Sequence, residues 1–252
     1  MAWLLKRMLF VPTALLLMVP LAAAATAPAD VAAAKARIDV IKAGASCVTD
    51  AGGMVTAITI PDGSSISADD VALFGRLDDL ETLRILNCRG LTDDMVASLA
   101  GLTKLRSLAL TNTAITDDAV ETIVESFPEL IELDLSSNTG LTGAAMKSIS
   151  ALAGLERLDL VQTRFNDLHT RRLKKLENLR VLDLRGNMQA GDMTLGVIGG
   201  LPSLAAFKHR STIVSDDGLE NLAESKTLRS LLAQDFVISS ASGTHLAAIP
   251  TL

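Results

Sequence analysis

Apolar residues recur along this chain at two alternating periods. Leu152, Leu155, Leu158 and Leu160 are followed by Leu176, Leu179, Leu182 and Leu184, each set written L-x-x-L-x-x-L-x-L, and Asn187 closes the second set three places on. With the third leucine as phase marker, equivalents fall at Ile58, Leu83, Leu108, Leu133, Leu158, Leu182, Phe207 and Leu231, at intervals of 24 or 25 residues. Eight copies at so even a period predict stacked units, each burying its apolar face against its neighbours. Within a unit the alternation around the marker, as in Leu105 to Leu110, predicts a short strand, and the 3.6-period stripe that follows predicts a helix of two or three turns.

The turn into each helix is written explicitly. Ser67-Ala68-Asp69-Asp70, Thr92-Asp93-Asp94, Thr116-Asp117-Asp118, Thr142-Gly143 and Ser215-Asp216-Asp217 each place a hydroxyl where it accepts from orphan amides, with most followed by carboxylates at the positive helix end. The recurrence of these aspartate pairs at the repeat period marks them as helix starts, not as acid–base pairs. Five places after the marker stand Cys88, Thr113, Asn138, Thr163, Asn187 and Thr212, expected to point inward and bond the loop backbone. Strands joined through helices are expected to lie parallel with right-handed crossovers. Ahead of the first unit, Ala27 to Gly44 reads as a helix, and Ser46 to Thr49 with Met54 to Ile60 as a hairpin across Ala51-Gly52-Gly53. At the other end, Leu228, Leu231 and Ala233 make a degenerate unit, and Ile249-Pro250-Thr251-Leu252 begins another.

These residues resemble the leucine-rich-repeat family. The phrase I-T-D, seen at Ile115-Thr116-Asp117, is similar to that of exported bacterial repeat proteins, and a cysteine at the Cys88 position is shared with the substrate-recognition arms of F-box proteins. A signal, not an F-box, is expected ahead of the repeats, which sets the adaptor version aside. The resemblance implies an α/β leucine-rich-repeat solenoid, a horseshoe arc with parallel strands on the concave face and helices on the convex face. It also implies recognition of proteins on the concave face.

The expected organisation is a signal peptide over 1–25, an N-terminal cap of helix plus short strand over 26–51, repeats over 52–248, and a truncated repeat at 249–252. Lys6 and Arg7 precede the apolar run Met8 to Leu21, and Ala22 to Ala25 offer small residues for cleavage near Ala25. The product is then exported, periplasmic or extracellular, with no later stretch apolar enough to span a bilayer. Removing Lys6 and Arg7 leaves 21 basic against 29 acidic residues, so the net charge moves from −6 to −8. Such a chain is repelled by phosphate backbones, which argues against nucleic acid as a partner. There is no tyrosine, and the mature chain keeps only Phe74, Phe127, Phe165, Phe207 and Phe236, each at a core position. No ring is left for stacking on sugars or single strands.

Eight units fill the mature chain, and no G-x-S-x-G, P-loop, H-E-x-x-H or C-x-x-C is present. The expectation is therefore no enzyme, no cofactor and no metal site. His169, His209 and His245 fall in separate units, and His209 takes the place of a buried leucine. Cys47 and Cys88 are either a disulfide or two buried thiols.

Candidate binding residues come from the strand face. The residue after each marker gives the column Thr59, Arg84, Ala109, Asp134, Asp159, Asp183, Lys208 and Leu232, in which Asp134, Asp159 and Asp183 form a ladder of carboxylates. Glu132 and Arg157 flank it on one side, Arg185 and Arg210 on the other. This face suits a basic or dipolar peptide, or a cation held by the aspartates; alternatively Arg157, Arg185 and Lys208 simply neutralise the ladder. A second patch, Arg171, Arg172, Lys174 and Lys175 with Arg164 and Arg180, is expected on the convex side. The leading expectation is a binding module for a protein or peptide. The alternative is a structural, self-associating envelope protein that uses its ends or the basic patch.

Overall fold

In the computed structural model, which describes residues 26–41 and 44–252, nine strands form one open sheet in chain order. The expected signal and its cleavage site lie outside these residues. β1 (Ser46–Thr49) runs antiparallel to β2 (Val55–Ile60). The strands that follow all pair in parallel: β3 (Thr82–Leu86), β4 (Ser107–Thr111), β5 (Glu132–Asp134), β6 (Arg157–Asp159), β7 (Val181–Asp183), β8 (Ala206–Arg210) and β9 (Ser230–Gln234). Their register carries the sequence phase without a slip: Ile58 faces Leu83, Leu83 faces Leu108, and so on to Phe207 facing Leu231. A one-residue shift would turn every leucine of a strand to the wrong face, so burial of one face sets the register. The core is one continuous column of these side chains, with Ile58, Leu83, Leu158, Leu182 and Phe207 fully buried.

Helices connect the strands on the other side of this core: α1 (Pro28–Val40), α2 (Ala68–Phe74), α3 (Asp93–Ala97), α4 (Asp117–Ser126), α5 (Gly143–Ile149), α6 (Asp167–Thr170), α7 (Asp192–Gly199), α8 (Asp216–Leu222) and α9 (Ser242–Ala247). Several are shorter than the expected two turns, and after α6 the chain tightens into a 3-10 helix, Arg171–Lys175, around buried Leu173. α1 ends at Val40, earlier than the expected Gly44. It is tied to α2 through Arg37, whose guanidinium donates to both carboxylate oxygens of buried Asp70 at 2.6 and 3.0 Å.

Capping works as the sequence implies at Ser67, Thr116, Thr142 and Ser215, while Thr92 makes no side-chain cap bond. The aspartates do more than face the helix dipole. The first carboxylate of a helix also holds the start of the next: Asp93 accepts from Thr116 N and Oγ1 at 2.8 and 2.7 Å, and Asp192 from Ser215 N and Oγ at 2.8 and 2.7 Å. Asp117 holds Thr142 and Ala145 in the same way, and Asp167 holds Gly191 and Thr194. Gly143 opens α5 without a carboxylate, and there Asn166 caps α6 by itself from Leu168 N and His169 N.

A second device recurs at the end of six of the strands. Asn87, Asn112, Ser137, Gln162, Gly186 and Asp235, all four places after the marker, have φ between 51° and 81°. This left-handed residue bends the chain so that the next side chain enters the core. Asn138 donates to Leu110 O and Leu135 O at 2.6 and 2.9 Å and accepts from Thr113 N and Oγ1. Asn187 repeats the arrangement with Leu160 O, Leu184 O, Phe165 N and Thr163 Oγ1. Thr212 departs from expectation: it is exposed, and Ser211 is buried in its stead, donating to Met188 O at 3.2 Å. That unit lacks the left-handed residue, so its turn is out of step by one position. Cys88 is buried as expected, and Cys47 and Cys88 are free thiols.

Candidate functional site

The strand face presents the three columns anticipated from the sequence, and the register places their members side by side. Thr59, Arg84, Ala109, Asp134, Asp159, Asp183, Lys208 and Leu232 are successive partners, and Glu132 is the partner of Arg157. Adjacent members sit about 4.8 Å apart across the sheet. Arg185, two places past Asp183, and Arg210, the last residue of β8, lie in the next outward-facing column, since alternate residues share a face.

Burial divides the ladder in a way its spacing did not indicate. Asp134 is half-buried, but Asp159 is only 9% exposed and Asp183 3%. They lie beneath arginines two places away in sequence. Arg157 Nε donates to Asp159 Oδ2 at 2.7 Å, and Arg185 donates from Nε at 2.9 and 3.0 Å and from Nη2 at 2.7 Å to the two oxygens of Asp183. Lys208 Nζ stands 4.0 Å from Asp183. The ladder is therefore not an open row of carboxylates awaiting a cation. The outer surface consists instead of Arg157, Arg185 and Lys208, with Arg210 paired to Asp235 at 2.6 Å. Burial pushes the Asp159 carboxyl above its ordinary range, against the pull of Arg157, and Asp134 and Asp183 add to the rise. The Arg157 and Arg185 guanidiniums are held more firmly protonated by hydrogen bonds to their aspartates.

On the middle strand β5 the face is acidic: Glu132 is exposed and accepts from Ser107 Oγ at 2.9 Å, and Asp134 accepts from Ser136 N. Arg84 is half-buried three strands away from Asp159. Toward the C-terminal strands a hollow of about 230 Å³ opens between Arg185 and Arg210, with Gln162, Gly186 and Gln234 in its lining. The three added residues were not apparent from the sequence. Gly186 supplies the turn at φ 81° and no side chain, and a Cβ there would come within 2.7 Å of Gln162.

The family model described as leucine rich repeat matches residues 128–188, the stretch that contains β5, β6 and β7. Over those residues the chain matches the leucine-rich repeat. Solved structures with the same repeat architecture include internalin C2 (inlC2) of Listeria monocytogenes str. 4b F2365, at 26% identity and TM-score 0.53, covering 74% of this chain and 72% of that one. Internalin inlF of the same strain, at 16% identity and TM-score 0.53, covers 73% of this chain, which spans 56% of inlF's length. Yeast Rad7, in its complex with Elc1, is similar over 78% of this chain and 68% of its own, at 15% identity and TM-score 0.53. At such identities inlF and Rad7 show the fold alone. A comparison with curated proteins finds no match.

The repeats hold their histidines apart. His169 lies in α6 against Phe165, His209 in β8 and His245 in α9. Among the described residues, no three His, Cys, Asp or Glu side chains are arranged to hold a metal. His209 is fully buried between Phe207 and Phe236, with Nδ1 3.1 Å from Leu184 O and Nε2 2.8 Å from Ala190 O. It has the partner that a buried ring requires. Burial lowers its pKa, against the opposing effect of the two carbonyls and of Asp167 and Asp183. An unfolded histidine titrates near 6.5, so below about that pH the unfolded chain takes up the proton that the fold resists, and this contribution to stability is lost as pH falls. His209→Leu, restoring the residue type of Leu160 and Leu184, is expected to flatten the loss of melting temperature between about pH 7 and 5. Equal slopes for variant and wild type would remove His209 as the cause.

Proposed function

We propose that this protein is an exported, non-enzymatic leucine-rich-repeat module that recognises a protein or peptide through its concave strand face. The observation that carries the reading is the polarised face. Glu132 and Asp134 remain available at one end, and Arg157, Arg185, Lys208 and Arg210 are aligned at the other over buried carboxylates and around a hollow. Arginines held in place by ion pairs lose less side-chain entropy on binding than free ones. Such a surface fits an extended dipolar peptide, with an acidic side chain in the Arg185–Arg210 hollow and a basic one near Glu132. The leucine-rich-repeat fold commonly mediates protein–protein interaction, and the Rad7 structure is itself of a complex with a protein, Elc1. In this reading residues 1–25 are the signal, 26–51 cover the first repeat, 52–248 are the repeats, and 249–252 begin a truncated one. Arg84 marks the N-terminal limit of the binding face. Among the described residues no helix is long and apolar enough to cross a membrane.

The test is crosslinking capture from envelope and secreted fractions with wild type and Lys208→Glu/Arg210→Glu, after circular dichroism shows both folded. These two side chains are 39% and 55% exposed, so their reversal probes the surface without unpairing Asp159. A partner captured by wild type is expected to fall about tenfold or more in the variant, a change of about 1.4 kcal/mol. Identical capture by both proteins would overturn the reading.

One observation favours the structural alternative. β9 is exposed at four of its five positions, and its outer edge has no strand partner among the described residues. An open edge is a template for pairing with another chain. Sedimentation of the full chain across concentrations decides it: a reversible dimer lost on Leu232→Lys supports self-association through this end, and a monomer throughout rejects it.

A further inference from the structure

The opposite margin of the sheet, where the chain enters β7, β8 and β9, contains a larger hollow of about 420 Å³. Its walls are set by register. Arg180 O accepts from Ala205 N at 2.9 Å, and Ala205 O accepts from Arg229 N at 2.8 Å, so Arg180 and Arg229 stand two strand spacings apart with Ala205 between them. Two spacings amount to about 10 Å. The earlier repeats put Glu81, Arg106, Ile131 and Glu156 in this column, and only here does a residue as small as alanine leave the floor open between two arginines. Lys226, Ser203, Asn178 and Thr227 also line it, and Glu156 is its one carboxylate, so three cations against one anion leave it at +2 in a chain whose net charge is −6. Among the described residues none of Arg180, Lys226 and Arg229 takes part in an ion pair, although Arg37, Arg157, Arg185 and Arg210 all do.

We propose that this hollow is a binding site for an oxyanion group of the phosphate or sulfate type. The volume is that of a small-ligand site. Two arginines lining one hollow on either side of a small floor can each offer a guanidinium fork to an oxyanion, with Lys226 as a point charge and the Ser203 hydroxyl as a further donor. The exposed run Arg171, Arg172, Lys174 and Lys175 has more charge, yet it is a row of solvent-facing side chains on a 3-10 helix and is not part of this lining. The site is independent of the strand-face reading and stands or falls without it.

Inorganic pyrophosphate, titrated calorimetrically into the full chain at low salt, is the probe. Arg180→Gln/Arg229→Gln is expected to weaken binding about tenfold or more, and so is Ala205→Ile, which fills the floor with the side chain Ile131 carries and leaves charge unchanged. Arg171→Gln/Arg172→Gln removes the same charge outside the hollow and is expected to stay within about twofold of wild type. A polyphosphate arm separates the sources: binding tighter per phosphate than pyrophosphate points to an oxyanion on a polymer, and equal or weaker binding to a free small ligand. The proposal is overturned if wild type fails to bind pyrophosphate at about 10 mM, a Kd weaker than any specific small-ligand site would give. It is also overturned if Ala205→Ile binds like wild type, or if the Arg171/Arg172 control loses as much as the Arg180/Arg229 pair.

Discussion

Asn187→Ala is expected to cost about 3–5 kcal/mol of unfolding free energy. The side chain is fully buried and satisfies four groups at once: its amide donates to Leu160 O and Leu184 O at 2.7 and 3.0 Å, and its carbonyl oxygen accepts from Phe165 N at 2.8 Å and Thr163 Oγ1 at 3.1 Å. Alanine removes all four bonds: Phe165 N is left unpaired, worth about 1–3 kcal/mol where no water replaces the lost bond, and Leu160 O and Leu184 O each lose a donor while keeping Thr163 Oγ1 and Asn187 N. Because Leu160 belongs to one repeat and Leu184 to the next, the loss falls on the contact between repeats. Urea unfolding followed by circular dichroism should show a lower midpoint and a broader transition, as expected when coupling between stacked units weakens. Asn178, exposed and making a single bond to Ala153 O, supplies the contrast, with an expected cost of about 1 kcal/mol or less. Equal costs for the two asparagines would show that the inward ladder does not hold the repeats together.

Asp183→Arg is expected to be similarly severe, about 3–5 kcal/mol. The carboxylate is 3% exposed beneath Arg185 and within 4.0 Å of Lys208. Reversing its sign leaves a buried cation facing two others, with no anion to offset its desolvation. Asp134→Arg, at a half-buried position whose carboxylate accepts from Ser136 N, is expected to cost about 1 kcal/mol or less. Chemical denaturation of the two variants separates them, and a wild-type midpoint for Asp183→Arg would refute the burial account. The consequence for function is practical. Reversing Asp134, Asp159 and Asp183 together cannot test binding, because two of the three support the face from below; Lys208 and Arg210 are the residues through which the face is probed.

The periodicity alone determined the strand phase. A leucine every 24 or 25 residues allows only one register that keeps all of them inside, and the pairings from Ile58 to Leu231 follow it. The helix starts, the inward asparagines and the positions of the outward columns were legible for the same reason: each is a fixed offset from a buried marker, and the offset decides the face. Tertiary structure alone decided how deep each outward residue lies. Asp134, Asp159 and Asp183 are the same residue at the same offset, yet only the latter two have an arginine two places away to fold over them, and such covering depends on side-chain path and not on spacing. The aspartate clamps between helices and the hollow over Ala205 likewise arise between repeats. They need the separation of two stacked units, about one strand spacing, which brings together residues some 25 positions apart that no local pattern connects.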